Sequence, residues 1–210
     1  MENQNFNPSI PQLVSYPRTG SHWLRMILEK YLKKYCLPTS FYDNKEYWGF
    51  HLHDRIVGKG DEGITSGFEK VIYLYRNPID TIYSQLRYEN LSFHHHESVS
   101  KIADEYYTHL HRWLHNNEDC KQILFIKYED IKENHQVTLK NVIEFLGYQY
   151  NRDKIDVIYK DLTLENAKKK IKDSQVINKD HFNGSYMLDK KEFINLYEES
   201  IKKMFKEIWK

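Results

Sequence analysis

Apolar runs of strand length alternate with amphipathic helical patterns along most of this chain of 210 residues. The strand-like runs are rich in β-branched and aromatic residues and cover residues 13–16, 47–52, 71–75 and 123–128. The helical patterns that follow them cover residues 23–35, 79–88, 99–115 and 137–146. Because strands that alternate with helices form parallel sheets covered on both faces, the sequence predicts an α/β fold. We expect a mostly parallel sheet of four to five strands, flanked by helices.

The chain after Gly147 contains only helical patterns. They cover residues 153–160, 164–171 and 191–209, and the interval 173–190 is rich in the Asn, Asp, Gly and Ser that are typical of a loop. No internal repeat, low-complexity tract or obvious linker divides the sequence. We therefore expect a single domain over residues 1–210, with an α-helical C-terminal part.

The composition excludes several classes of protein. A formal net charge of +1 argues against a general nucleic-acid binder, so any anion site must be local. Cys36 and Cys120 form no CxxC or metal-ligand spacing, which suits a reducing compartment. The N-terminus lacks the pattern of a secretory signal, and no segment approaches the roughly 20 apolar residues that span a bilayer. The sequence thus predicts a cytoplasmic protein with no membrane span and no nucleic-acid partner.

A short polar turn at residues 17–22 connects the first predicted strand to the first predicted helix. Strand, turn and helix in this order bring backbone N–H groups and the positive end of a helix dipole to one point, which suits a phosphate or sulfate. Arg18 adds a permanent cation with a forked set of donors. The Walker A loop of kinases, GxxxxGK[ST], is excluded because no Lys stands at the start of the helix. A capped turn without a ligand is the alternative.

A second strand-to-helix turn also carries an arginine. The strand 71–75 ends just before Arg76, Asn77 can cap the next helix, and Pro78 suits its first position. Arg76 therefore lies at the carboxyl edge of the sheet, where open α/β folds bind ligands. Ser84 lies two turns into the helix and can face the same anion.

Three segments resemble the sulfotransferases that use 3′-phosphoadenosine 5′-phosphosulfate (PAPS). YPRTGSHW, residues 16–23, resembles the 5′-phosphosulfate loop of that family, and YRNPIDTIYS, residues 75–84, resembles its 3′-phosphate motif. The strand, KYED turn and helix over residues 125–147 resemble a third block. The resemblance implies a P-loop-NTPase-like fold and PAPS as co-substrate, with 3′-phosphoadenosine 5′-phosphate (PAP) as product. Arg, which stands at position 18 in place of the commoner Lys, is frequent in bacterial and carbohydrate-directed members, and we expect a bacterial member.

The resemblance also implies roles for individual residues. Arg18 matches the loop cation that stabilises charge on the leaving phosphate, and Trp23 matches the aromatic residue that packs on adenine. Arg76 and Ser84 match the pair that binds the 3′-phosphate. Backbone N–H groups for the 5′-phosphosulfate come from the remaining loop residues, Thr19, Gly20, Ser21 and His22. His22 departs from the family's pattern, in which a hydroxyl residue usually stands at this position.

Sulfuryl transfer also needs a base, because the acceptor loses a proton as the new bond to sulfur forms. A histidine, with an ordinary pKa of about 6.5, can take that proton at neutral pH. His51 and His53 alternate along a probable strand end. His53 best fits the catalytic histidine that the resemblance implies, while His51 and the carboxylate Glu46 remain alternatives.

The C-terminal segment resembles the family's RKGxxGDW-like loop only loosely. Lys179 stands for its Arg, and Gly184, Ser185 and Tyr186 stand for its GDW. By the same resemblance, Thr163 and Leu164 lie near the adenine.

Histidines are plentiful, yet the sequence predicts no metal site. In the tract at residues 94–97 an HExxH motif fails, because Ser100 stands where the second His is required. His111 and His115 lie one helical turn apart, but no further ligand pattern completes a coordination shell. We expect the tract to be solvated or to border the acceptor pocket.

Three functions agree with these features to different degrees. A PAPS-dependent sulfotransferase acting on a small molecule or glycan agrees best with the two arginine turns. A P-loop-like kinase of a small metabolite is disfavoured, because the Walker Lys and a Mg²⁺-binding Asp after a strand are missing. A nucleotide-binding module without turnover is disfavoured by the presence of both Arg18 and His53. The acceptor stays open among phenols, alcohols, amines, sugars and lipids, and so does the oligomeric state.

Overall fold

Five parallel strands form one sheet in the computed structural model, which describes residues 9–38, 40–53, 68–117, 120–173 and 189–209. The sheet has the order β2-β3-β1-β4-β5, so that β1 lies at its centre. The strands are β1 (Gln12–Ser15), β2 (Tyr35–Leu37), β3 (Tyr47–His53), β4 (Lys70–Tyr75) and β5 (Gln122–Lys127). The predicted α/β fold with a parallel sheet is confirmed.

Helices cover both faces of this sheet. In the described part of the chain they are α1 (Ser21–Leu32), α2 (Pro78–Tyr88), α3 (His96–His115), α4 (Tyr128–Glu133), α5 (His135–Phe145), α6 (Arg152–Asp161), α7 (Leu164–Asp173) and α8 (Lys190–Phe205). Within the described ranges, none of these helices is long and apolar enough to traverse a bilayer.

The core is split by the sheet into two apolar layers. Leu13 belongs to one layer and Val14 to the other, because successive side chains of a strand point to opposite faces. Helices α1, α5 and α6 pack on the first face, and α2, α3 and α8 pack on the second. All four residues of β1 are buried, as expected for a central strand that is covered on both sides.

The register brings two loops to the same edge of the sheet. Ser15, the last residue of β1, pairs with His53 of β3 on one side and with Leu74 of β4 on the other. The chain leaves β1 and β4 at this carboxyl edge and enters α1 and α2 through short turns. Such an edge, where the strand order reverses, is where open α/β sheets bind ligands.

Two short elements differ from the sequence prediction. The helical pattern assigned to residues 23–35 ends earlier, because Lys33 adopts a left-handed conformation with φ of 59° that terminates α1, and Tyr35 already belongs to β2. The last predicted strand ends at Lys127, and Tyr128 begins α4 instead. Elements of three and six residues are too short to show a reliable period. The predicted loop at 173–190 falls largely outside the described residues.

Candidate functional site

The turn after β1 is held in a left-handed conformation at two of its residues. Arg18 has φ of 70° and Gly20 has φ of 98°. A Cβ atom on Gly20 would lie 2.4 Å from Cδ2 of Tyr128, so only glycine fits under that ring. The hydroxyl of buried Thr19 donates a hydrogen bond of 2.8 Å to the carbonyl of Tyr16 and closes the turn. The loop therefore has one defined shape.

This turn ends at the N-terminus of α1. The carbonyl of Gly20 accepts the N–H groups of Trp23 at 3.0 Å and Leu24 at 3.3 Å, and no side chain caps the helix. The positive end of the helix dipole thus lies at Ser21 and His22, the expected donors to a phosphosulfate. The structure places all the predicted loop donors in this one turn, and their contact with a ligand stays a prediction.

The two predicted arginines belong to one network of hydrogen bonds. The Nε–H of Arg18 donates to Oγ of Ser84 at 3.2 Å, and Nη1 of Arg76 donates to the carbonyl of Arg18 at 3.2 Å. Arg18 and Ser84 are 66 residues apart in the chain, and Arg18 and Arg76 are 58 apart. The three side chains that the sequence singled out for phosphate binding therefore form one cluster.

The positive charges of Arg18 and Arg76 repel each other, because like charges disfavour one another in a partly buried site. Burial lowers the pKa of Arg18, and the charges of Arg76 and Arg87 lower that pKa further, against an opposing effect of Tyr88. Among the described residues Arg18 pairs with no carboxylate, and its guanidinium lies 4.9 Å from the ring centre of Tyr88. A bound anion would relieve this repulsion.

Arg76 is surrounded more completely. Its Nη2 lies 3.5 Å from Oδ2 of Asp80, and its guanidinium carbon lies 4.6 Å from the ring centre of Tyr128. The hydroxyl of Tyr106 donates to the backbone carbonyl of Arg76 at 2.6 Å and accepts from its N–H at 3.0 Å. The buried Nε of Arg76 has no partner among the described residues. Arg76 is thus held in place by its neighbours on several sides.

Tyr128 and Tyr106 support the site, and sequence reasoning assigned neither of them a role beside the two arginines. Tyr128 covers Gly20, faces Arg76 and packs on Trp23 at 5.8 Å between ring centres. Its signal was its place directly after the strand in the KYED turn. Tyr106 gave no local signal, because a tyrosine on the apolar face of α3 resembles any core residue.

Trp23 is largely enclosed by protein. Its side chain is 5% exposed, its Nε1–H donates to the carbonyl of Leu162 at 2.8 Å, and its ring packs on Tyr159 at 5.6 Å. Leu162 precedes Thr163 and the start of α7, which the sequence placed near the adenine. The role of Trp23 in holding the base stays a prediction.

His51 is buried inside a polar network beneath the loop. Its Nδ1 lies 3.4 Å from Nη1 of Arg25, and its Nε2 lies 3.1 Å from Oγ of Ser15. Because a guanidinium only donates, Nδ1 of His51 must accept, and the ring proton is assigned to Nε2, which donates to Ser15. Arg25 also donates to the carbonyl of Cys36 at 2.8 Å.

The other candidate bases are placed differently. The backbone of His53 lies opposite Ser15 at the carboxyl edge of the sheet, while its side chain lies outside the described residues. Glu46 precedes β3 and therefore lies at the opposite edge, where it pairs with Lys34 at 3.1 Å. The structure does not bring Glu46 to the loop. Lys179 and residues 184–186 also lie outside the described residues.

The histidine tract packs on the last helix. His94 lies 3.9 Å from a carboxylate oxygen of Glu192, and Nδ1 of His96 lies 2.9 Å from the hydroxyl of Tyr197. The rings of His111 and His115 lie 5.4 Å apart on α3. In the part of the chain that the structure describes, no group of three or more His, Cys, Asp or Glu could hold a metal ion.

Residues 50–195 match the family described as the sulfotransferase domain. The chain is 28% identical over 201 residues to human sulfotransferase 6B1, with 77% of this chain and 63% of that protein covered. It is 27% identical over 184 residues to the mouse protein, with 70% and 57% covered. Cytosolic sulfotransferase 13 of Arabidopsis thaliana is 27% identical over 180 residues, with 69% and 56% covered. The chain thus spans less than two thirds of the length of these relatives.

Solved structures agree on the fold. Mouse sulfotransferase SULT7A1 complexed with PAP superposes with a TM-score of 0.55 at 17% identity, covering 97% of this chain and 83% of that chain. Retinol dehydratase in complex with androsterone and inactive cofactor PAP superposes with a TM-score of 0.63 at 14% identity, covering 97% and 82%. At these identities the likeness concerns the fold alone.

Proposed function

The chain belongs to the sulfotransferase domain family, and from this premise we propose that it transfers a sulfuryl group from PAPS to an acceptor hydroxyl or amine. One observation carries the proposal: Arg18 and Arg76, from two strand-to-helix turns, and Ser84 of α2 come together at the carboxyl edge of the sheet. Two clustered arginines beside a helix N-terminus suit a ligand that carries separate phosphate groups. The PAP bound in two fold neighbours supports the choice of nucleotide.

The nucleotide lies along the edge of the sheet in this proposal. The loop of Thr19, Gly20, Ser21 and His22 donates to the 5′-phosphosulfate, and Arg76 with Ser84 binds the 3′-phosphate. Trp23, whose ring packs on Tyr128 and Tyr159, contacts the base. Lys179 is assigned to the 3′-phosphate by the resemblance of its segment alone.

The reaction is an in-line displacement at sulfur. The acceptor oxygen or nitrogen forms a bond to sulfur while the bond from sulfur to the 5′-phosphate oxygen breaks, and PAP leaves. The acceptor proton passes to His53, which acts as general base. Arg18 and the N-terminus of α1 stabilise the negative charge that grows on the departing phosphate. These steps need no metal.

Several properties of the whole protein belong to the same proposal. The acceptor is a small molecule or glycan, and the name of the Arabidopsis relative supports a cytoplasmic location. Since the chain spans 57% of the mouse relative, its acceptor is not carried over from any relative.

A sulfate-transfer assay tests the proposal directly. The protein is incubated with ³⁵S-labelled PAPS and a panel of phenols, alcohols, amines, sugars and lipids, and labelled products are resolved by mass. Arg18→Ala should lower kcat by about 10²–10³-fold, as expected when a donor to developing charge is removed. Binding of PAP without transfer to any acceptor would favour a module without turnover. Phosphoryl transfer from ATP would favour a kinase.

A further inference from the structure

A third cation reaches the arginine cluster from the far end of the chain. Nζ of Lys190 lies 2.5 Å from Oδ1 of Asp80, whose other oxygen, Oδ2, lies 3.5 Å from Nη2 of Arg76. Lys190 and Asp80 are 110 residues apart in sequence. One carboxylate therefore joins the predicted 3′-phosphate arginine to a lysine that no motif identified.

The position of Lys190 is fixed by the start of its helix. The side chain of Asp189 caps α8 by accepting the N–H of Lys191 at 2.7 Å, which places Lys190 in the first turn. One turn later Phe193 is fully buried and packs on Tyr83 of α2 at 5.4 Å between ring centres. The packing of α8 on α2 therefore holds Lys190 against the face of α2 that carries Asp80.

That face also carries the other predicted phosphate ligand. Asp80 and Ser84 are four residues apart on α2, so their Cβ atoms lie about 5–6 Å from each other. Ser84 accepts the Nε–H of Arg18. The ammonium group of Lys190, at the end of a flexible four-carbon chain, can span that separation. A phosphate beside Arg76 and Ser84 thus lies within its range.

We propose that Lys190 is a further nucleotide-binding residue, which exchanges Asp80 for the 3′-phosphate when the nucleotide binds. The inference rests on the proposed function, because it assumes that Arg76 and Ser84 hold that phosphate. Asp80 is then the counter-ion that holds Arg76 and Lys190 together in the free protein. A phosphate offers more negative charge and three acceptor oxygens, so it competes well with one carboxylate for two cations.

The first test compares two nucleotides that differ by the group in question. PAP carries the 3′-phosphate and adenosine 5′-phosphate lacks it, and titration calorimetry measures the Kd of each. Lys190→Gln should weaken PAP binding about three- to tenfold and leave adenosine 5′-phosphate unchanged, as expected for one partly exposed charge contact. Lys191→Gln is the matched control, since it removes the same charge from the next residue of α8.

The second test uses a substitution that should change the affinity for PAP in the opposite direction. Asp80→Asn removes the competing carboxylate, while Arg76 stays held by the carbonyl of Arg18 and the ring of Tyr128, so PAP should bind more tightly. A Lys190→Gln protein with the PAP affinity of the wild type would overturn the inference, as would an equal loss for both nucleotides. A wild-type protein that binds no PAP would instead reject the proposed function itself.

Discussion

The shape of the site depends on the absence of a Cβ atom at Gly20. This glycine combines φ of 98° with a Tyr128 ring carbon 2.4 Å from where a Cβ would lie. Alanine at this position must strain the backbone and displace the ring that supports Arg76. We expect Gly20→Ala to lower the free energy of unfolding by about 2–4 kcal/mol, measured by urea denaturation.

Gly147 provides the matched control for that substitution. It also has a positive φ, 85°, but no atom lies within 4 Å of the point that a Cβ would occupy. Gly147→Ala should therefore show the backbone effect alone, about 1–2 kcal/mol. Equal losses in the two variants would mean that the contact with Tyr128 contributes nothing.

Substitutions of the two histidines of β3 are expected to have different effects on the pH–rate profile. His53→Ala should lower kcat by about 10²–10⁴-fold, because the proposed base is lost. His51→Asn should lower stability by about 1–3 kcal/mol, since Arg25 and Ser15 lose their shared partner. The fall in kcat at acidic pH should persist in His51→Asn, at the same pH as in the wild type.

The opposite pattern would contradict this assignment. If His51→Asn lost the acidic fall in kcat while His53→Ala kept its turnover, the base would be His51. Circular dichroism of both variants checks that each retains the folded state.

At the scale of elements, a buried carboxylate ties α1 to the segment around β2. Oε1 of Glu29 accepts the N–H of Cys36 at 3.4 Å, and Oε2 accepts the N–H of Phe41 at 2.8 Å and the hydroxyl of Ser40 at 3.4 Å. Burial raises the pKa of Glu29, against the opposing effects of these hydrogen bonds and of Arg25. This group therefore titrates differently in the folded and unfolded chains.

The sign of the resulting pH dependence follows from the raised pKa. Above the ordinary value of 4.5 the folded protein binds the Glu29 proton more tightly than the unfolded chain, so this contribution to stability falls as the pH rises. The side chain in Glu29→Gln does not titrate. Its amide NH2 group would face one of the donors that the carboxylate now accepts, so a hydrogen bond would be lost. We expect the variant to be less stable by about 1–3 kcal/mol, with a gap to the wild type that narrows from pH 4 toward neutral pH. A gap that widens would contradict the raised pKa.

The elements also show which parts of the structure the sequence could predict. The turns before α1 and α2 were predictable because each combines an apolar strand, a turn residue and an amphipathic helix within a short window. Strand β2 and helix α4 were not, because three and six residues give no usable period. Asn77 was predicted as a cap, and its Oδ1 does accept the N–H of Ile79 at 2.9 Å. Local sequence signals were therefore sufficient for features that depend only on residues close together in the chain.

At the scale of the whole molecule, the features that could not be predicted from the sequence are tertiary contacts. Nothing near Lys190 in sequence points to Asp80, and nothing near Tyr106 points to the backbone of Arg76. These contacts exist because α3 and α8 pack beside α2 on one face of the sheet. The predicted cluster of Arg18, Arg76 and Ser84 was accessible because the sheet topology alone brings the ends of β1 and β4 to one edge.

The same cluster predicts which nucleotide stabilises the folded chain. PAP carries phosphates at both ends of the ribose, and in the proposed function it engages both arginine turns, whereas ATP places all its charge at the 5′ end. At 100 times its Kd, PAP should stabilise the protein by about 2.7 kcal/mol, which is about 5–10 °C in Tm for a domain of this size. ATP with Mg²⁺ at equal concentration should give a smaller shift in differential scanning fluorimetry. Raising the salt concentration should reduce the PAP shift, because the contacts are charged. A larger shift with ATP would contradict the assignment of Arg76 and Ser84 to a 3′-phosphate and favour a kinase.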